Sequence, residues 1–230
     1  MVRCVACLYE QLEDLAGIAA VRMNLGAVYG RMGLWDDCLA ELEASLKLHE
    51  RIGDVWHIGV DYNNIGEAHR SRGDYHNAIA AFERAHRLYI DIQDAACIAL
   101  ALTGLGMARV EAGDLEHGRD DLLEAEAQFS SLGRSMYLPD IYRFLASADL
   151  ALGELESASH YADKSIEFAR AANARHQEAM TQRVLGEIAL ARGDAQSAQN
   201  LLEASRQTLA DVGEAGELAR TEAVLSRLKV

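Results

Sequence analysis

Two cysteines at the spacing Cys4-x-x-Cys7 are the nearest approach to a reactive pair in this sequence. Such a pair can supply half of a tetrahedral zinc site, or a dithiol that cycles with a disulfide. Zinc wants two more ligands, and the other cysteines, Cys38 and Cys97, stand alone farther along the chain. The histidines (His49, His57, His69, His76, His86, His117, His160 and His176) form no HExxH pair, and no nucleophile-base constellation is apparent among them. Tandem acids Asp36-Asp37 and Asp120-Asp121 fall where helices are expected to begin, and attraction to the helix dipole is reason enough for them. No glycine-lysine loop for a phosphate is present. These residues point away from catalysis: no enzyme activity, metal or cofactor is expected.

The elements that carry them recur with a constant period. Gly26, Gly66, Gly106, Ala146 and Gly186 share one phase, and Gly33, Gly73, Gly113, Gly153 and Gly193 share another seven residues later, without an insertion or deletion. A fixed period over the whole chain predicts a repeat array, in which each unit buries its apolar face on its neighbours. Each unit starts with a segment of helical hydrophobic spacing, such as Val60 to His69. A glycine able to take the left-handed conformation ends it, and the acid that usually follows caps the next helix. Leu25, Ile65, Leu105, Leu145 and Leu185, with Leu42, Phe82, Leu122 and Leu202, supply the shared core. The glycine column faces small residues of the second helix, including Ser45, Ala85, Ala125, Ser165 and Ser205, so close backbone approach is expected. By this phase Cys4 and Cys7 correspond to Ala44 and Lys47, ordinary helix positions. Trp35 and Trp56 are read as packing residues. The fourth unit, with Ala146, Ala162 and the single proline, Pro139, is expected to depart locally.

Half of the 230 residues are hydrophobic and a quarter are charged, which allows a sizeable core and argues against disorder. No apolar run approaches the ~20 residues of a membrane span, and the first residues lack the apolar core of a secretory signal, so a cytoplasmic protein without membrane contact is expected. Irregularly placed cysteines give no disulfide framework. With 36 acids against 22 bases the chain disfavours nucleic acid, whose binding requires many lysines and arginines.

The order aromatic, x, x, large apolar residue, glycine, then alanine, x, x, x, phenylalanine, seen best in Tyr62, Ile65, Gly66, Ala78 and Phe82, resembles the tetratricopeptide repeat. The usual repeat is about 34 residues and ends its second helix with proline, whereas here that column is Glu50, Ile90, Ser130, Arg170 and Ala210. The chain therefore resembles the long-repeat subclass found in kinesin light chains, in polarity adaptors and in bacterial regulators of the maltose-activator type. The later units are also similar to the arrays of large bacterial signalling ATPases. The resemblance implies an all-α fold, a right-handed superhelical solenoid of antiparallel helix pairs. Residues 1–14 would be the end of a preceding repeat's second helix. Units would follow at 15–54, 55–94, 95–134, 135–174 and 175–214, with a capping helix over 215–230. The open N-terminal edge would permit self-association.

In such arrays the first helix of each pair lines a concave groove that holds an extended peptide or protein segment. Mapped by phase, the groove positions here are Asn24 and Arg31; Asn63, Asn64, Glu67 and Arg70; Thr103 and Met107; Arg143, Phe144 and Ser147; and Arg183 and Glu187, with Met23, Ala27, Val110, Leu150 and Leu190 beside them. Amides can bond a peptide backbone, arginines can pair with carboxylates, and Phe144 or Met107 can form apolar pockets. Arg143 and Arg183 are expected to meet a ligand carboxylate. The function implied is a non-catalytic module that binds a protein or peptide. The alternative is a ligand-sensing array within a larger bacterial signalling ATPase or transcriptional regulator.

Overall fold

A computed structural model describes residues 14–228. Cys4-x-x-Cys7, most of the helix expected over residues 1–14 and the self-association edge lie outside the described residues. Every regular element among the described residues is a helix, and within each compact unit the helices pack as antiparallel pairs stacked on one another. The chain divides into two compact units, Met1–Ala112 and Gly113–Val230.

The described part of the first unit holds α1 (Leu15–Arg31), α2 (Trp35–Ile52), α3 (Val55–Arg72), α4 (Tyr75–Asp91) and α5 (Ala95–Ala112). The second holds α6 (Leu115–Ser131), a 3-10 turn (Ser135–Tyr137), α7 (Leu138–Leu152), α8 (Leu155–Ala171), α9 (Arg175–Ala191), α10 (Ala195–Val212) and α11 (Ala215–Arg227). Helix starts are fixed by acids: Asp14, Asp54, Asp74, Asp94 and Asp194 each accept a backbone N–H of the following first turn. The Cys97 N–H bonded to Asp94, and the hydrogen bonds from Ser197 to Asp194, hold both carboxyls below the usual range. Such caps satisfy donors that the helix itself leaves open.

Ends are fixed by left-handed residues. At the turn between successive pairs this conformation belongs to Gly53, Gln93, Gly133, Asn173 and Gly213. A side chain with a Cβ is strained there by about 1–2 kcal/mol, and asparagine tolerates it better than glutamine does. Gln93→Gly is therefore expected to stabilise the protein by about 1 kcal/mol despite the added freedom of the unfolded chain, measured as a rise in urea midpoint.

Within the first unit the packing turns on one ring. Phe82 of α4, 1% exposed, lies between Gly66 of α3 and Gly104 of α5. A Cβ at Gly66 would come within 2.9 Å of the ring, and one at Gly104 within 2.3 Å. Gly26 against Leu42, and Gly186 against Leu202 in the second unit, repeat the single contact, with 2.9 Å and 2.7 Å for the same hypothetical atom. Where Ala146 replaces the glycine, Ala158 and Ala162 pack in its cluster. The fourth unit also departs at its start: the 3-10 turn precedes α7, Pro139 sits in the helix's first turn, and Tyr137 stacks on Phe129 at 4.3 Å.

Helix α5 is long and apolar enough, by length and composition, to cross a bilayer, although half of it is buried inside the fold. Trp56, in the first turn of α3, is 43% exposed; its ring meets His57 edge-on at 4.8 Å, and its indole N–H donates to Asp94 at the start of α5 at 3.2 Å.

Candidate functional site

The groove positions divide sharply by environment. In the first unit Asn24 and Arg31 of α1 and Glu67 of α3 are exposed, and Asn64 is half-buried. Together with Met23, Ala27, Gly30, Trp35, Cys38, Leu42, Val60, Ala68 and Ser71 they line an open pocket of about 490 Å³. The helical period explains the arrangement: Met23, Ala27 and Gly30 succeed one another along one face of α1, as Val60, Asn64 and Ala68 do along α3. Helix α2 contributes Trp35, Cys38 and Leu42 as an apolar wall, on which the buried Cys38 and Leu42 belong to a core cluster. Burial pushes the Cys38 thiol up, so it behaves as a small apolar group rather than a nucleophile.

Polar groups stand among these apolar walls. The Asn24 and Asn64 amides offer both donors and an acceptor. Glu67 is held by Arg70 at 2.6 Å and by the Ser71 hydroxyl at 3.2 Å. Arg70 is itself pinned between Glu67 and Glu111, the latter at 2.8 Å, and despite burial the two acids raise its guanidinium above the usual range. It braces the site and is not among the lining residues. Asn63 is half-buried with its Oδ1 lacking a hydrogen-bond partner, and it too lies off the pocket.

The remaining predicted positions are mostly turned inward. Thr103 is buried and its hydroxyl donates to the Ala99 carbonyl at 2.8 Å, while Met107 is half-buried on the same helix, α5. In the second unit Arg143 and Phe144 are also buried. The Arg143 guanidinium donates to Asp140 at 2.8 Å and lies 4.5 Å over the Phe144 ring, and Gln177 donates to the same Asp140. Burial opposes ionisation of Asp140, yet Arg143 and Gln177 hold its carboxyl below the usual range. Ser147 returns its hydroxyl to the Arg143 carbonyl. Arg183 bonds Glu187 at 3.1 Å and reaches Glu217 at 3.4 Å. Thr103, Arg143 and Phe144, expected at the groove surface, are thus placed as interior residues in this structure. Arg143 and Arg183 already hold acids of their own chain.

A second constellation went unseen in the sequence. Asp61 of α3 is fully buried, receives the Ser45 hydroxyl at 2.9 Å and lies 2.5 Å from Nδ1 of the buried His49. His57 stacks on His49 with ring centroids 4.8 Å apart, and its own Nδ1 is 2.7 Å from Asp54. Serine, histidine and aspartate suggest a nucleophile, but the serine faces the carboxylate instead of the imidazole, and all three are sealed from solvent. The group acts as a polar lock between α2 and α3. Ser165 with Thr181 (2.8 Å) and Ser205 with Thr221 (3.5 Å) occupy the same register in the second unit, and Ala85 with Ala101 is an apolar counterpart in the first. The visible signal was an acid, Asp61, in a column otherwise held by Val21, Ala101, Ile141, Thr181 and Thr221.

A tetratricopeptide repeat family model matches residues 17–91, the stretch that contains the pocket. No curated protein matches the chain. Among solved structures, aspartyl phosphate phosphatase F from Bacillus subtilis is 10% identical with a TM-score of 0.69, over 94% of this chain and 61% of that one. The chain thus spans less than two thirds of that protein's length. A Rap protein complexed with Competence and Sporulation Factor is 15% identical with a TM-score of 0.70, over 96% of this chain and 66% of that one. A Podosopora anserina kinesin light chain with nearly identical TPR-like repeats is 17% identical with a TM-score of 0.63, over 87% and 98%. At these identities the likeness is one of fold. The chain is thus an all-helical stack of antiparallel helix pairs, similar in fold to these proteins, and its residues 17–91 match the tetratricopeptide repeat model.

Proposed function

We propose that this protein is a non-catalytic, cytoplasmic interaction module, and that it binds an extended segment of a partner protein at the groove between α1 and α3. The observation that carries this reading is the open pocket of the first unit, where an apolar wall is flanked by the amides of Asn24 and Asn64. Peptide ligands need this combination: apolar surface supplies affinity, and side-chain amides pair with a backbone that would otherwise lose its hydrogen bonds to water. A Rap protein of similar fold, crystallised with Competence and Sporulation Factor, lends support by analogy.

The test is selection of random twelve-residue peptides on the full-length chain, followed by titration of the winners. Replacing both amides, Asn24→Ala with Asn64→Ala, should weaken them roughly thirtyfold, at about 1 kcal/mol for each lost hydrogen bond. Binding unchanged in that variant would place the ligand elsewhere. Failure to select any peptide would overturn the reading and favour a sensor of small effectors within a larger regulator.

A further inference from the structure

Gly30 has no structural reason to be glycine. It lies inside α1, where glycine is disfavoured, and it is absent from the positive-φ positions. A Cβ built there would meet the Cys38 sulfur at 3.4 Å and the Trp35 ring at 3.7 Å, ordinary contact distances, whereas one at Gly26 would stand 2.9 Å from Leu42. Gly26 is required by packing; Gly30 leaves space. Along the same face Ala27 is exposed and also lines the pocket. In later repeats the two columns carry larger pairs: Glu67 with Arg70, Met107 with Val110, Ser147 with Leu150, and Glu187 with Leu190. The hollow is therefore a property of the first repeat, made by two small residues.

Its charge lining restricts what fits. Most nearby charges are tied to one another: Glu67 to Arg70, Asp36 to Arg72 at 2.8 Å, and Arg22 to Glu41 at 2.9 Å, while Arg31 lines the pocket as an exposed cation. The walls formed by Met23, Trp35, Cys38, Leu42 and Val60 hold no ionised group. A charged side chain set against these walls, away from the solvated Arg31, would lose its water without a counter-charge, which is costly, whereas an apolar one gains from the same burial.

We propose that the pocket takes one large, uncharged apolar side chain of the bound segment, and that Ala27 and Gly30 set its permitted size. This rests on the peptide-binding reading above and adds the class of residue recognised. The neighbouring residues of the segment lie along the groove within reach of Asn24 and Asn64.

The experiment is the same random-peptide selection on the full-length wild type, Gly30→Leu and Ala27→Leu, with circular dichroism to verify that each variant folds. Ala27 is exposed, so its variant keeps the test decisive if Gly30→Leu should not fold. Wild-type winners are expected to share a leucine-, methionine- or phenylalanine-sized residue at one position. Either folded variant should bind those peptides at least tenfold more weakly and select smaller residues at that position. Winners without a shared apolar residue, or with unchanged affinity for both variants, would overturn the inference and leave peptide binding standing. No winners from the wild type would overturn peptide binding itself, and this inference with it.

Discussion

His49→Ala will cost the protein about 3–5 kcal/mol at neutral pH, a large part of the roughly 5–15 kcal/mol that holds a typical domain together. The deleted imidazole is the partner 2.5 Å from a fully buried carboxylate, and Ser45 alone remains to satisfy Asp61. Burial already pushes the Asp61 carboxyl above its ordinary value, while His49 and Ser45 pull it back. Without His49 it rises further. A carboxyl raised in the folded state keeps a proton that the unfolded chain has lost. Its stabilising contribution is present at low pH and is lost as pH rises through the folded value. The deficit of the variant against wild type should accordingly be largest near about pH 7.5 and shrink toward about pH 5, read from urea unfolding at both. A deficit independent of pH would mean that Asp61 finds another hydrogen-bond partner. A companion variant sharpens the point: His49→Leu with Asp61→Ala copies residue types found in the same columns and should restore most of the loss, because an apolar pair leaves no orphaned charge. Ser45 would still have the Ala19 carbonyl, at 3.1 Å, as its acceptor.

Phe82→Ala should cost a similar amount, about 3–5 kcal/mol, since a buried aromatic ring leaves a cavity between three helices. The more informative member of this pair is Gly104→Ala. At an ordinary helix position that change stabilises by up to about 1 kcal/mol. Here the new Cβ would lie 2.3 Å from a ring that is also confined by Gly66, so a net loss of about 2 kcal/mol is expected. In a Phe82→Leu background the same substitution should become nearly neutral, because the smaller side chain vacates the contested space. Thermal and urea unfolding of the four proteins forms a double-mutant cycle, and simple additivity would show that the clash is relieved by backbone movement instead.

These two sites show what a repeat register reveals and what it conceals. The all-α class and the paired helices follow from the glycine columns and the hydrophobic period, because every unit repeats the same solution. Gly104 escaped notice since its column otherwise holds Asn24, Asn64, Phe144 and Val184, so nothing in it marks a close approach. Ser45 was legible as small but not as a hydrogen-bond donor. His49 looked scattered because its partner lies in the next helix, although its column companions Tyr89, Phe129, Ala169 and Leu209 are all buried.

The groove illustrates the same division. Phase alone selects Asn24, Arg31, Asn64 and Glu67, which do line the pocket. It could not show that Arg143 would fold over Phe144 and pair with Asp140, because those contacts depend on side-chain length and on which acids happen to be near. Nor could it show that Trp35, Cys38 and Leu42 would form the wall, since these lie on the second helix of the pair, which the family pattern assigns to packing.

The measurement that bears most directly on the account is photocrosslinking of the tightest selected peptide to full-length protein carrying a benzophenone amino acid at position 27 or at position 47. Ala27 lines the pocket, and Lys47 is an exposed residue of α2 that does not. Crosslinking at position 27 and not at position 47 is the predicted result. Equal crosslinking at both, or crosslinking at position 47 alone, would contradict the assignment of ligand binding to the groove of the first unit.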